Sequence, residues 1–409
     1  MGFWIMKKFL LSIPLAASIC FAQEESSLQF NGFVDSYHAL QTDYPHEILS
    51  SRTRMRGELR MDYENASLYA SFNAIYNGVV KNSSGINLHE AYLDYANGTI
   101  DVKVGRQIVA WGVADGLRVT DLISPLDYTE FLTKDYDDTR ISINAVDFKY
   151  TGENAMAEFI FVPVPEYFQF PETTDNPWYF KTLPENAELE LNNYPEKRIK
   201  YSEYGTRLRF FLESLDISIM ALHTYNKLPV MVSSYDFNTG AILVKGVYDP
   251  MTVFGGDISM PIGEFVFRGE IAEYFHEPLA LASGTAYCHK NTFNALAGID
   301  WYAGNNWTFM VQYLHKYLAD YEKRLSSEKN TSQGTFRISK DLLNNTLKLS
   351  LYGMIDFDNK SYYGRLSADY QLNDQITLSL GYDLFGGDKG QLASYEENSG
   401  VWAKAKYFF

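Results

Sequence analysis

Nowhere does the 409-residue chain offer the run of about 20 apolar residues that a membrane-spanning helix requires. Its one long apolar stretch, residues 9–22, is too short to span, and the mean hydropathy is slightly negative at -0.24. A polytopic helical membrane protein is thereby excluded. Cysteine is nearly missing: Cys20 and Cys288 provide no disulfide framework. Positive charge is scarce as well, with 35 Lys and Arg against 51 Asp and Glu. That balance argues against nucleic acid and against adsorption to anionic lipid. Tryptophan is rare at 6 residues, yet 31 Tyr and 27 Phe raise the aromatic share to 16%. With 46% apolar and 21% charged residues, the chain does not have the composition of a disordered one.

The N-terminus carries the marks of a secretory signal. Lys7 and Lys8 precede an apolar stretch from Phe9 to Phe21, and Cys20-Phe21-Ala22 has the small-x-small form of a cleavage site. Lipid attachment at Cys20 fits less well, because Ile19 stands where a small residue is wanted. Cleavage after Ala22 leaves residues 23–409 as a single exported domain, with 33 cations against 51 carboxylates and a net charge of -18.

Beyond Leu28 the dominant period is two, which is the signature of strands with one apolar and one polar face. In residues 375–384, Ile376, Leu378, Leu380, Tyr382 and Leu384 share one face, opposite Gln375, Thr377, Ser379, Gly381 and Asp383. Eighteen such segments run from 27–39 to 398–408, with sixteen as the alternative count. Tight joints such as Glu64-Asn65, Asn97-Gly98, Gly304-Asn305 and Leu372-Asn373 alternate with mostly long connections, among them 112–138 and 164–202. A Greek-key sandwich has no reason to keep that asymmetry. An up-and-down transmembrane barrel does, with tight periplasmic turns, long external loops and an even strand number. The predicted class is therefore an all-β, antiparallel, closed barrel whose apolar face meets lipid, placed in a bacterial outer membrane. Tyr63, Tyr76, Tyr95, Tyr150, Tyr302 and Tyr370 sit at strand ends, where interfacial aromatics belong.

With lipid outside, polar faces must line the interior. The second strand then carries an inward ladder of Arg52, Arg54, Arg56 and Arg60, with Glu58 and Asp62, while Met55, Leu59 and Met61 face out. Four arginines at spacing two require a watery lumen or a paired network. The fourth strand turns Glu90, Tyr92 and Asp94 inward, so that Glu90 and Asp94 can hold the ladder. Arg207, Arg209, Arg268 and Arg365 are inward on later strands. Bracing of the wall and guidance of ions are equally good readings of these arginines.

The third long connection contains Gly105-Arg106-Gln107, Trp111-Gly112 and Ala114-Asp115, followed by Thr120-Asp121, Ser124-Pro125 and Asp127. This pattern resembles that of a family of bacterial outer-membrane barrels related to alginate-export and porin-like channels. The signal, the strand rhythm and the closing strand from Val401 to Phe409 extend the resemblance to the whole chain. It implies a pore in an outer membrane, inserted by a barrel-assembly machinery that reads the terminal Phe409. Leu117, Val119, Leu122, Ile123 and Leu126 make the loop too apolar to stand in water. Its place is inside the barrel, as a constriction. Asp115, Asp121 and Asp127 are then expected to face the arginine ladder and set a transverse field, with Arg118 among them. Strict alternation points Arg106 at lipid, and a bulge at Gly105 is read as turning it inward. Trp111 is read as a packing anchor for the loop, or alternatively as a sugar-stacking platform.

Other chemistry is thin. His89-Glu90 lacks a second His at helical spacing. Asp135, Asp137 and Asp138 form a calcium-like cluster that reads better as solvated loop acids. No nucleophile–base arrangement emerges, and Cys288 lies in an outer connection. The expectation is a passive channel for small polar or charged solutes, without cofactor or catalysis. The alternatives are a transporter of a more specific oligosaccharide or hydrophobic substrate, and a barrel serving as an adhesin through the aromatic 164–202 connection.

Overall fold

The structure is a computed structural model. It describes residues 27–409, apart from Leu132, Glu172, Thr182, Pro184, Glu185, Asn238 and Thr239. The signal expected over residues 1–22, with Cys20 and the cleavage point, lies outside the described residues.

The first strands are β1 (Ser27–Gln41), β2 (Ile48–Tyr63), β3 (Ala66–Asn77), β4 (Gly85–Ala96), β5 (Ile100–Gln107), β6 (Ile143–Thr151) and β7 (Ala155–Val162). They are followed by β8 (Ala187–Glu190), β9 (Glu203–Leu212), β10 (Leu215–Tyr225), β11 (Val230–Tyr235), β12 (Ile242–Val247), β13 (Pro250–Ile262) and β14 (Phe265–Ala280). The last are β15 (Tyr287–Tyr302), β16 (Trp307–Leu318), β17 (Asn330–Leu342), β18 (Leu347–Asp356), β19 (Ser361–Gln371), β20 (Ile376–Gly387) and β21 (Gly400–Phe408). Eighteen of these form one sheet in which sequential neighbours pair antiparallel. Because β1 pairs with both β2 and β21, the sheet closes into a barrel. Closure leaves the wall without outermost strands, which a lipid-facing sheet cannot carry.

Alternation sets the wall's polarity. On β20 and its neighbours Leu378, Leu380 and Leu384 are exposed, whereas Ser379 and Asp383 are buried. That is the reverse of a water-soluble sandwich. Local chemistry makes the tight turns: Asn97 Oδ1 accepts from the amides of Thr99 and Ile100 at 3.1 and 2.8 Å. Asn373 does the same for Gln375 and Ile376, both at 2.9 Å. Phe409 exchanges backbone hydrogen bonds with Gly32 at 3.0 Å and closes the barrel's seam.

All eighteen expected wall strands are found. The other three, β8, β11 and β12, form a small separate sheet within the connections read as loops. Their alternation is short, and the parallel pairing of β8 with β12 is made only by the tertiary fold. β5 stops at Gln107, short of the expected Trp111, because the chain leaves the wall there and turns inward. Cys288 is not in a loop: the β14–β15 hairpin runs past the wall, and Cys288 pairs with Leu279.

The lumen is not empty. Val109, Trp111, Leu117, Val119 and Ile123 pack against the inner faces of β6, β7, β10, β13, β14 and β15 in one apolar cluster. Phe131 and Trp178 join Tyr37, Leu49, Phe385 and Trp402 in a second. These clusters give the third connection a core of its own inside the barrel.

Candidate pore constriction

Residues 108–142 cross the lumen, and their contacts reach opposite walls. On the far side Glu270 of β14 anchors the loop. One carboxylate oxygen accepts from the amides of Val113 and Ala114 at 2.6 and 2.7 Å, and the other from the amide and hydroxyl of Thr120, both at 2.9 Å. Gly112 makes this cradle possible: its φ is +97°, and a Cβ there would stand 2.7 Å from Glu270 Oε1. Arg268 donates to the Val113 carbonyl at 2.8 Å and Tyr274 to that of Val119 at 2.6 Å.

On the near side stands the ladder of β2. Arg52 pairs with Glu130 at 3.1 Å, and Ser50 and Asn77 also donate to that carboxylate. Arg54 lies between Asp35 at 2.5 Å and Asp138 at 2.8 Å. Arg56 donates to Asn73 at 2.8 Å and pairs with Asp138 at 3.2 Å. A cavity of about 840 Å³ lies between this ladder and the loop.

The arginine ladder thus faces loop carboxylates, but not the expected ones. Asp115 pairs with Arg337 of β17 at 2.8 Å, and Asp121 with Arg140 at 2.7 Å. Asp127 lines the cavity while its carboxylate is held by Lys134 and Thr129. Asp115 is taken by the wall at β17, and Asp121 and Asp127 are paired within the loop, so Glu130 and Asp138 meet the ladder instead. Asp138 belongs to the run considered for calcium; it and Asp135, which pairs with Lys404 at 2.8 Å, are each engaged by cations. Alternation alone could not show which loop acid reaches the wall.

Further corrections concern single residues. Arg60 pairs with Asp62 at 2.9 Å near the opposite end of the wall and does not face the loop, which leaves three arginines in the ladder. Glu90 accepts from the Ile108 amide at 2.9 Å, where β5 departs, and Asp94 lies further down β4; no ion pair joins either to the described ladder. No bulge occurs at Gly105, since the pairing of Tyr92 with Gly105 and Ala91 with Arg106 runs unbroken. Arg106 nonetheless lines the cavity, 3.8 Å from Glu166. It stands beside the end of β5, and its long side chain can reach round. Arg118 braces the loop, donating to the carbonyls of Asp121 and Ser124 at 2.5 and 2.6 Å. Trp111 is buried at 1% exposure, with its indole N–H on Glu158 at 3.1 Å and Arg207 over its ring, so it anchors rather than offers a stacking surface.

The 164–202 connection folds into the mouth. The Trp178 indole donates to the Leu49 carbonyl at 3.2 Å, Tyr395 donates to the Trp178 carbonyl at 2.8 Å, and Asn176 reaches Thr129 of the inward loop. Of its aromatics Tyr167, Phe170 and Trp178 are buried, and Phe168, Tyr179 and Phe180 are half-buried.

Two loop carboxyls are biased toward their charged forms. Burial opposes ionisation of Asp138, but the hydrogen bond from Arg54 and the charges of Arg54 and Arg56 outweigh it and hold the carboxyl well below the usual range. Lys134 and Thr129 likewise lower the carboxyl of half-buried Asp127 against the effect of burial. A depressed native value stabilises docking above the ordinary aspartate pKa, and that contribution is lost as pH falls below it. Current through the protein in a planar bilayer should therefore be steady from neutral pH down to about 4 and fluctuate below. Asp138→Asn should show the fluctuation already at neutral pH; equal noise at all pH values in both proteins would contradict the docking role.

No curated protein matches the chain. Among solved structures, Acinetobacter baumannii OccAB3 aligns with a TM-score of 0.52 at 11% identity, over 94% of this chain and 99% of that one. The outer membrane channel DcaP of Acinetobacter baumannii gives 0.46 at 10% identity, over 94% and 97%. An anion-selective porin from Comamonas acidovorans gives 0.44 at 12% identity, over 94% and 100%. At these identities the likeness to OccAB3 concerns the barrel fold alone. Residues 38–409 match the family described as "Protein of unknown function (DUF1302)", and the chain is a member of that family.

Proposed function

We propose that this chain is a passive outer-membrane channel for small polar or charged solutes, constricted by its third loop. The observation that carries this reading is the pairing of Arg54 and Arg56 on the wall with Asp138 on a loop that crosses the lumen. Opposed charges at a narrow point act on passing ions through a transverse field. The outward apolar face supports lipid as the surroundings, and the polar inward face supports a wet passage. Export through the signal at residues 1–22, insertion through the strand ending in Phe409, and kinship with alginate-export-type channels through the Gly105–Asp127 motif belong to the same reading. No reaction is part of it.

Refolded protein in a planar bilayer should give discrete conductance steps. Arg56→Glu should shift the reversal potential in a salt gradient toward cation preference. Absence of steps would sink the channel reading, and an unchanged reversal potential would reduce the ladder to bracing. A second reading, a transporter of a more specific substrate, is favoured by the two apolar clusters packed inside the barrel beside the cavity.

A further inference from the structure

The cavity beside the ladder meets a break in the wall. β4 continues to Gly85, but it pairs with β5 only over residues 91–96. β5 leaves the wall at Gln107, and β6 begins at Ile143. From residue 85 to 90, β4 therefore has β3 on one side and no ladder on the other. Two contacts close the lower end of the gap: Ser142 donates to the His89 carbonyl at 2.5 Å, and the Ile108 amide to Glu90 at 2.9 Å. Among the described residues no strand pairs with residues 85–88 on that edge.

The register places this edge at the depth of the apolar belt. Leu88 lies opposite Phe72 and Ile86 opposite Ala74, with Tyr76 beyond them toward one end and Tyr95 toward the other. Ile86 and Leu88 are 81% and 51% exposed. A free strand edge has backbone donors and acceptors that hydrocarbon cannot satisfy, so at this depth it must face water or a polar ligand. Ile86 and Leu88 project from one face of β4 and Asn87 from the other, yet all three line the same cavity. The run from Gly85 to His89 lines the cavity without a break, so the cavity reaches along this edge.

The chemistry of the cavity is two-sided. Among the described residues its lining carries six Arg and Lys side chains against three carboxylates, together with apolar side chains such as Ile86, Leu88 and Ile141. Arg106 lines the cavity too, and its ion pair with Glu166 is long at 3.8 Å. We propose that the cavity opens sideways through the wall between β4 and β6 and takes an amphiphile with an anionic head and a hydrocarbon tail. The head meets Arg106 and Arg56, and the tail lies along Ile86, Leu88 and Ile141 toward the bilayer. A volume of about 840 Å³ suits such a molecule, since small-ligand sites span about 300–1,000 Å³. The inference rests on the outer-membrane passage proposed above and names the substrate class and exit of the same site.

The test uses the whole protein in phosphatidylcholine vesicles with dodecanoate bearing a diazirine at its tail end. After irradiation, adducts should concentrate in residues 85–90 and 141–142, as read by peptide mass spectrometry. The same tail on a trimethylammonium head should label these segments weakly. A phosphatidylglycerol with the same tail forms a third arm: stronger labelling than with dodecanoate identifies membrane lipid as the source of the amphiphile, and weaker labelling identifies the free acid. Arg106→Glu should lower labelling about tenfold, the scale of one charge-assisted contact, and Arg106→Lys should retain it. Labelling spread evenly round the barrel, or equal for both head charges, overturns the proposal. Bilayer recording of the same preparation separates the two readings: conductance without focused labelling leaves the channel and removes the side opening, and the converse removes the channel alone.

Discussion

Glu270→Ala should release the third loop from the far wall and lower the stability of the folded barrel by about 3–5 kcal/mol. The carboxylate accepts four hydrogen bonds, from the amides of Val113, Ala114 and Thr120 and the Thr120 hydroxyl, and it is 1% exposed. Truncation removes the acceptor and strands the buried amide and hydroxyl of Thr120 and the part-buried amides of Val113 and Ala114. A buried unsatisfied donor costs about 1–3 kcal/mol, and water entering the vacated space offsets part of the sum. Hydrogen exchange should quicken at Val113, Ala114 and Thr120 well before it changes in β14. Single-channel records should show larger and noisier steps, because the loop no longer holds its place across the lumen. Unchanged exchange at those three amides would mean that Glu270 does not secure the loop.

The second large effect is expected from Arg54→Ala. Arg54 is buried between Asp35 and Asp138, and its removal leaves two carboxylates facing each other without their shared cation. Breaking a buried pair by deleting one partner typically costs about 3–5 kcal/mol, most of it the penalty of the stranded charge. That origin has a consequence. Adding Asp138→Asn to Arg54→Ala should recover a large part of the loss, although Asp138→Asn alone destabilises by disturbing Arg54 and Arg56. Unfolding in denaturant of the two single variants and the double variant gives the coupling directly. Strict additivity would show that the loop does not lean on the ladder.

Both predictions depend on residues whose orientation was legible but whose partners were not. The alternation that places Arg268 inside also places Glu270 inside, two residues along the same strand. Nothing in the spacing says that an inward acid on β14 will hold a loop that begins after β5, about 150 residues earlier in the chain. For the same reason Asp115, Asp121 and Asp127 were natural candidates to face the arginines, whereas Glu130 and Asp138 do so. The loop's backbone path, shaped by Gly112 and by the burial of Trp111 and Val119, decides which acid arrives where.

Read alone, the amino-acid order determined the closed barrel, its eighteen wall strands, the outward apolar face and the inward-folding third loop. These follow from period-two patterning, Asn- and Gly-containing turns and loop apolarity, all of which act over a few neighbouring residues. The tertiary structure alone decided which charges meet across the lumen, where Arg106 comes to rest, and that β4 keeps a free edge at residues 85–88. These depend on contacts between segments far apart in sequence, and one strand leaving the wall early at Gln107 redirects everything that follows it.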